Sequence, residues 1–304
     1  MIKLLNANFT RLRKNKVFWL LIAFSVGLAL FMIYTRYRDM KIYKDVIEVE
    51  QLMLNYSTII GIVIAIFTSL FLGSEYSDGG IRNKISIGHI RTNIYLSNLI
   101  ITTITSLFSY ILFIFVVVTI GIPLFGGISI ELSKLLRLLG CIFVTVIAYS
   151  SIFTFITMII SNKTITAIVS IMFSFGLMMI ALICLNKLEA PKMIQEATMV
   201  GGETKIEEVL NPKYPSEAKK KVYQALLDIN PTGQMFQIAG RTTPNLKILP
   251  IYSLGIVVIF TSIGIILFNK KELKWIGDDY EYLVLFIFNK FTCTLNFNNK
   301  TSNY

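Results

Sequence analysis

The sequence predicts an all-α polytopic membrane protein that crosses a bilayer six times. Of its 304 residues, 54% are hydrophobic and 15% are charged, whereas soluble domains average about 25% charged residues. Six apolar runs contain no Asp, Glu, Lys or Arg, and each is about long enough to cross the hydrocarbon core as a helix. The predicted spans are residues 17–34, 56–73, 99–122, 138–160, 165–185 and 248–268.

The segment before the first span, residues 1–16, contains five cations and no acidic residue. Ile2, Leu5, Phe9 and Leu12 recur at helical spacing, which places them on one face of a helix. We therefore expect a basic amphipathic helix in the headgroup layer, although the same cations are also typical of a simple orientation signal. No small-residue cleavage site follows the first span, so it is interpreted as a retained anchor.

The polar segment between the second and third spans, residues 75–98, has the most informative pattern. Its cations Arg82, Lys84 and Arg91 exclude it from hydrocarbon. Gly79-Gly80 predicts a turn, and the isoleucines that follow recur at roughly helical spacing. They are Ile81, Ile85, Ile87, Ile90 and Ile94. The pattern predicts a short amphipathic helix along the membrane face that can receive force from a soluble partner, and the alternative is an ordinary solvated basic loop.

The fourth span is rich in hydroxyl side chains, among them Thr145, Ser150 and Thr154. In a membrane helix such hydroxyls bond to preceding carbonyls or to a neighbouring helix. They are interpreted first as packing contacts, and the alternative is that these three residues line a substrate pathway.

Residues 187–247 form the one long polar segment between spans. A helix is predicted from Ser216 to about Ile229 and a second short helix over Thr232–Ala239. We expect their apolar side chains to pack at the membrane surface as a lid over a pathway, with an inert linker as the alternative. The lid candidates are Val222, Leu226, Met235 and Phe236. The tail, residues 269–304, contains an apolar segment, Leu283–Phe288, that is too short to span.

The distribution of cations predicts the orientation. With the N-terminus inside, the inner segments contain twelve cations, counting Lys270, Lys271 and Lys274 after the last span, and the short outer loops contain six. Lysine and arginine favour the cytoplasmic side. We therefore expect both termini and residues 75–98 in the cytoplasm, and residues 187–247 outside.

Several function classes lack the residues they need. The Gly201-Gly202-Glu203-Thr204-Lys205 segment lacks the Gly-Lys-Ser/Thr end of a phosphate-binding loop and is predicted to be loop. With three cysteines, none in a C-x-x-C pair, and the single histidine His89, a metal centre or disulfide framework is not expected. The uncharged spans argue against an ion-coupled carrier or an intramembrane enzyme. The sequence contains no large basic polar domain of the kind that binds nucleic acid, so a nucleic-acid-binding function is not expected. If the protein moves a substrate, the energy is expected from another subunit.

Residues 75–98 resemble the corresponding segment in membrane subunits of ABC transporters of the type-two permease family, which act mainly as exporters. The matching residues are Glu75, Gly79-Gly80-Ile81-Arg82-Asn83-Lys84, Gly88-His89-Ile90-Arg91 and Tyr95-Leu96-Ser97. Gly80 stands where the family commonly has Thr, and Asn98 where Lys is common. The resemblance implies an elbow helix over residues 1–16, a cytoplasmic coupling helix between spans two and three, and an outer helical region between spans five and six.

The resemblance also implies partners and site residues. A separate ABC ATP-binding subunit, which binds ATP and Mg²⁺, would dock under the coupling helix, and a second permease subunit, identical or related, would complete the pathway in a bacterial cell membrane. The chain itself is expected to have no cofactor and no catalytic residue. The coupling candidates are Glu75, Arg82, Lys84, Ile85, Ile87 and Arg91.

Within this set, the isoleucines are expected to plug an apolar cleft, with the cations at its rim and Glu75 paired with Arg82 or capping the helix. The expected substrate is amphiphilic or peptide-like, as in antimicrobial peptide export or immunity. The alternative is a membrane-bound sensor whose outer loop recognises a ligand without transport, and a membrane enzyme is a third possibility.

Overall fold

The computed structural model describes residues 1–200, 203–212 and 214–271, and for residues 196–200 and 203–207 only the backbone. Within these residues, six helical segments are long and apolar enough to cross a membrane, which confirms the six predicted spans. They are Lys16–Tyr43, Val49–Ser77, Arg91–Phe125, Leu132–Ile159, Lys163–Leu188 and Leu249–Lys270. The predicted tail segment Leu283–Phe288 lies outside the described residues.

Most of these helices extend beyond their apolar runs. The N-terminal helix α1 covers Ile2–Lys14 and the first spanning helix α2 covers Lys16–Tyr43. The second spanning segment consists of α3 and α4, and the short helix α5 connects it to α6. The bounds are Val49–Asn55 for α3, Ser57–Ser77 for α4, Gly80–Ser86 for α5 and Arg91–Val116 for α6.

A π-helical turn, Val117–Gly121, follows α6 and leads into α7, Ile122–Phe125, in which Pro123 is the second residue. The remaining spanning helices are α8, Leu132–Ile159; α9, Lys163–Leu188; and α12, Leu249–Lys270. Between α9 and α12 lie strands β1, Met193–Val200, and β2, Glu203–Leu210, and helices α10, Glu217–Ile229, and α11, Pro231–Ala239.

The centre of the bundle is formed by the second and fourth spanning segments. In their most apolar windows 61% and 67% of the residues are buried, against 17% to 33% in the other four. Tyr56 is stacked on Phe113 with ring centroids 4.3 Å apart, and Gly61 lies so close to Tyr149 that a β-carbon there would come within 2.7 Å of the tyrosine ring. The second segment is therefore held to the third by an aromatic contact and to the fourth by one glycine-dependent close approach.

The apolar face predicted for α1 coincides only in part with the face that packs on the bundle. Leu4, Asn8 and Leu12 are buried, Leu5 and Phe9 are half-buried, and Ile2 is exposed. The face is rotated because Asn8 finds hydrogen-bond partners in α6, so a polar residue rather than an apolar one points inward. A search for apolar spacing alone cannot identify such a face.

An antiparallel hairpin, absent from the prediction, follows α9. Met193 of β1 pairs with Leu210 of β2, and Val200 pairs with Glu203. The expectation of a loop through Glu203-Thr204-Lys205 was therefore wrong for these residues. Two glycines between two strand-forming runs are a recognised hairpin signal, and that signal was present in the sequence.

The helices between the hairpin and the last span match the predicted bounds to within one residue. Helix α11 is inserted into the bundle, with Met235 and Ile238 fully buried. The Oε1 atom of Gln234 accepts hydrogen bonds from Thr145 Oγ1 at 2.9 Å and Ser253 Oγ at 2.7 Å. Thr145 lies about 20 Å along α8 from Leu132, given a rise of about 1.5 Å per residue. Because the polar side chains of α11 find partners on two spanning helices, α11 packs among the spans.

A buried carboxylate, Glu50, lies near the end of the bundle opposite α1. Its Oε1 accepts a hydrogen bond from the backbone N–H of Ile130 at 3.1 Å and lies 3.7 Å from Arg241 NH2. Arg241 also pairs with Glu48 at 2.6 Å and has a left-handed φ of 54°. Glu50 therefore joins three parts of the chain at this end of the bundle, namely its own helix α3, the turn before α8 and the turn after α11.

Candidate functional site

The buried carboxylate of Glu75 lies at the centre of a charged cluster near the end of the bundle that contains α1. Its side chain is 1% exposed. Arg11 NH1 from α1 lies 2.6 Å from its Oε2, and Lys84 Nζ from α5 forms an ion pair with its Oε1. One carboxylate at the end of α4 thus binds two cations from two different helices, which is the pairing that a buried charge requires.

Asn8 extends this cluster to a third helix. Lys84 Nζ donates to Asn8 Oδ1 at 2.7 Å. The Asn8 Nδ2 in turn donates to Asn98 Oδ1 at 2.9 Å and to Ser97 Oγ at 3.3 Å, both on α6. We call Asn8, Arg11, Glu75 and Lys84 the Glu75 cluster. Through it α1, α4, α5 and α6 share one hydrogen-bonded network, so displacement of one helix acts on the other three.

A second contact fixes Arg11. Its guanidinium carbon lies 4.2 Å from the centroid of the Phe71 ring, and its NH2 donates to the Phe71 carbonyl oxygen at 3.4 Å. An arginine over an aromatic face is attracted to the ring electrons. The side chain is therefore fixed toward α4 by ring and carbonyl as well as by the carboxylate of Glu75.

Helix α5 depends on two glycines and on the Glu75 cluster. Gly79 has a left-handed φ of 71°, which favours glycine. At Gly80 an added β-carbon would lie 3.0 Å from Glu75 Cγ, so the absence of a side chain leaves room for the carboxylate beside the helix. With 7 residues, α5 is too short to be stable alone. The buried Ile81 and the Lys84 ion pair hold it against the bundle.

The turn after α5 exposes two large apolar side chains. Ile87 is 78% exposed and Ile90 is 67% exposed, on either side of Gly88, which has a left-handed φ of 91°. Ile85 is half-buried, so of the two predicted plug residues only Ile87 is fully available to a partner. We call Ile87 and Ile90 the apolar tip.

The cations of this region have three different environments. Lys84 was expected at an exposed rim, but the structure places it in the Glu75 cluster. Burial lowers the pKa of Lys84, and the nearby Glu75 carboxylate partly opposes this effect. Arg91 NH1 donates to the carbonyl oxygens of Phe268 at 3.1 Å and Asn269 at 3.3 Å, so it binds the end of α12. Arg82 lies half-buried on α5.

Sequence reasoning identified Glu75 and Lys84 but missed Arg11 and Asn8. The expected partner of Glu75 was Arg82, whereas the structure pairs Glu75 with Arg11 and Lys84. Both missed residues lie on α1, in a segment interpreted only for its basic and apolar pattern. The polar Asn8 between Leu4 and Leu12 is the signal that points to an inward polar contact.

The pathway candidates are all buried between helices. Thr145 bonds to Gln234 and Ser253, Ser150 donates to the Val146 carbonyl oxygen at 2.9 Å, and Thr154 bonds to Thr102 at 3.0 Å. The Thr145 and Thr154 contacts join different helices and the Ser150 contact lies within α8, and the pathway assignment stays a prediction.

The lid candidates do not form one surface. Val222 and Leu226 are exposed on α10, Phe236 is half-buried, and Met235 lies in the core. The role of a lid over a pathway also stays a prediction.

A family model described as ABC-2 family transporter protein matches residues 4–185. The match begins in α1 and ends in α9, so it includes every residue of the Glu75 cluster and the apolar tip. No curated protein matches the chain.

Proposed function

The chain belongs to the ABC-2 family of transporter proteins and is a multi-pass permease, and from this premise we propose that a separate ATP-binding subunit docks on α5 and drives export through it. The observation that carries this proposal is that the apolar tip directly follows a helix that belongs to the Glu75 cluster. Two exposed isoleucines follow a short helix whose last turn is fixed to the bundle by a buried ion pair.

The geometry supports a route for the motion. A partner that encloses Ile87 in an apolar cleft gains most at the centre of that contact, where truncation of one anchor costs about 2 kcal/mol or more. Displacement of α5 then acts on Glu75 through Lys84, and on α1 and α6 through Asn8. Because interfaces of packed helices change between discrete arrangements, closure of the ATP-binding subunits produces rigid-body motion of these helices.

We further propose that α1 and α5 lie on the cytoplasmic side of a bacterial cell membrane, with both termini inside. The excess of cations in the segments on that side supports this orientation. A second permease subunit, identical or related, completes the pathway, and the partner subunit binds ATP and Mg²⁺. The uncharged, largely apolar spans favour an amphiphilic or peptide-like substrate.

The test is co-purification with a candidate ATP-binding protein, one with a Walker A motif and an ABC signature, expressed together with the full chain. Ile87→Asp introduces a charge at the tip and is expected to reduce recovery of the ATP-binding protein by at least ten-fold, since 1.4 kcal/mol corresponds to a factor of about ten. The matched control is Val46→Asp, because Val46 is 92% exposed and lies beyond the other end of α2.

Recovery with the control should equal that with the unchanged chain. Equal recovery with Ile87→Asp and with Val46→Asp would contradict docking on α5. An equal loss in both variants would likewise count against the proposal, because the loss would then not be specific to the tip.

A further inference from the structure

The side of α1 that faces away from the bundle is strongly cationic. Arg11 is bound in the Glu75 cluster, but four other cations of α1 and its junction with α2 are exposed. They are Lys3, Arg13, Lys14 and Lys16. The first acidic residue of the chain is Asp39, near the other end of α2. No acidic side chain from α1 or from most of α2 therefore offsets this charge.

An open surface groove, which we call the cleft, lies on the same side of α1. It has a volume of about 450 Å³ and is lined by Asn6, Phe9, Thr10 and Arg13. Asn6 and Arg13 provide N–H donors, and Thr10, whose hydroxyl donates to the Asn6 carbonyl oxygen at 2.9 Å, presents an oxygen. Phe9 adds an apolar wall. Donors and a guanidinium beside an apolar wall fit a phosphate group attached to a hydrocarbon chain.

The position of the cleft relative to the bilayer is fixed by the start of α2. The side chain of Asn15 caps α2 by accepting from the Val17 N–H at 2.8 Å, so the chain enters the first span directly after α1. Trp19 is exposed, and its indole N–H donates to the Arg13 carbonyl oxygen at 2.9 Å. Tryptophan is enriched at the level of the lipid headgroups. The indole and the cleft therefore lie together at the membrane surface.

We propose that this face of α1 binds the phosphate of an anionic phospholipid, with the headgroup at Arg13 and Lys14 and an acyl chain beside Trp19. Opposite charge favours an anionic over a zwitterionic lipid, and each cation near the surface strengthens the attraction by about five-fold. The inference does not depend on the transported substrate or on the identity of the ATP-binding subunit.

Trp19 provides a direct reporter, because the chain contains two tryptophans, Trp19 and Trp275. The Trp275→Phe chain, purified at full length and reconstituted in phosphatidylcholine vesicles, has Trp19 as its one emitter. Brominated phosphatidylglycerol or brominated phosphatidylcholine is then added at equal mole fraction, and quenching of the Trp19 fluorescence is measured. We expect brominated phosphatidylglycerol to quench several-fold more effectively, and we expect added salt to reduce the difference.

The matched variants change two charges each in this single-tryptophan chain. Arg13→Gln with Lys14→Gln should equalise quenching by the two lipids. Arg36→Gln with Arg38→Gln removes two exposed cations near the other end of α2 and should leave the preference unchanged. Folding of each variant is checked by its helical circular dichroism in the same vesicles.

Two results would overturn the proposal. One is equal quenching by both lipids in the unsubstituted single-tryptophan chain. The other is a preference that survives loss of Arg13 and Lys14. If equal quenching in the unsubstituted single-tryptophan chain is accompanied by loss of the ATP-binding subunit from the Arg13 and Lys14 variant, this face belongs to a protein partner.

Discussion

Neutralising the carboxylate of Glu75 is the perturbation with the largest expected effect in the Glu75 cluster. Glu75→Gln keeps the shape of the side chain but leaves Arg11 and Lys84 close together in a buried site without an anion. Removing one partner of a buried ion pair costs about 3–5 kcal/mol. The Arg11 and Lys84 side chains are 27% and 15% exposed, so solvent screens part of the charge. We therefore expect a loss near the lower limit, about 3 kcal/mol.

The free energy of unfolding can be measured by titration of mixed micelles with dodecyl sulfate, followed by circular dichroism. The combination of Glu75→Gln with Lys84→Met removes one of the two stranded cations, so its effect should be smaller than the sum of the single changes by about 1–2 kcal/mol. Arg38→Gln serves as the control, because its pairing with Asp39 at 3.5 Å is exposed and such pairs contribute about 0–1 kcal/mol. A Glu75→Gln chain as stable as the Arg38→Gln chain, or strictly additive effects, would refute the reasoning.

Three further predictions use other parts of the chain. Lys84→Gln should leave the apolar tip intact and so retain the ATP-binding subunit, but lower permease-stimulated ATP hydrolysis by about ten-fold; unchanged stimulation would contradict a coupling role. Arg241→Gln should lower the free energy of unfolding by about 1–2 kcal/mol in the same titration, because it removes the cation that lies beside the buried Glu50. An unchanged free energy of unfolding would show that backbone N–H donors alone are enough to stabilise the Glu50 carboxylate. Gly264→Ala should lower the free energy of unfolding by about 1–3 kcal/mol, because the new β-carbon would lie 2.1 Å from the Tyr95 hydroxyl oxygen. Gly255→Ala is the control, because Gly255 lies in the same helix and has open space around it. Equal stability of the two variants would exclude a tight α6–α12 contact.

The spans were predictable because hydrocarbon imposes a simple rule on sequence. A run without charges and about twenty residues long forms a helix in lipid, since a helix satisfies every backbone hydrogen bond within the segment itself. The structure places a helix on each of the six predicted runs. Their ends were less predictable, because polar residues continue the helices into the surface layers. The second spanning helix illustrates this, since it includes Glu50 and Glu75 beyond the two ends of its apolar run.

The contacts of the candidate site were only partly predictable. Glu75 and Lys84 lie in one short segment, so their proximity follows from local structure. The contact of Arg11 with Glu75 arises only when α1 packs against α4, and no local pattern specifies that packing. Helix α11 presents the same difficulty. Its apolar residues and its place in a long polar segment predict a surface helix, and only the packing shows that Thr145 and Ser253, from two other spans, hydrogen-bond to Gln234.

The claim that α5 receives the ATP-driven motion is tested most directly by site-specific photo-crosslinking in cells. A photoreactive amino acid at position 87 places the probe on the apolar tip, and one at position 46 places an equally accessible probe beyond the other end of α2. The account predicts that position 87 crosslinks to a protein that contains a Walker A motif and an ABC signature, identified by mass spectrometry, and that position 46 does not. Crosslinking of that protein from position 46 with none from position 87 would contradict it.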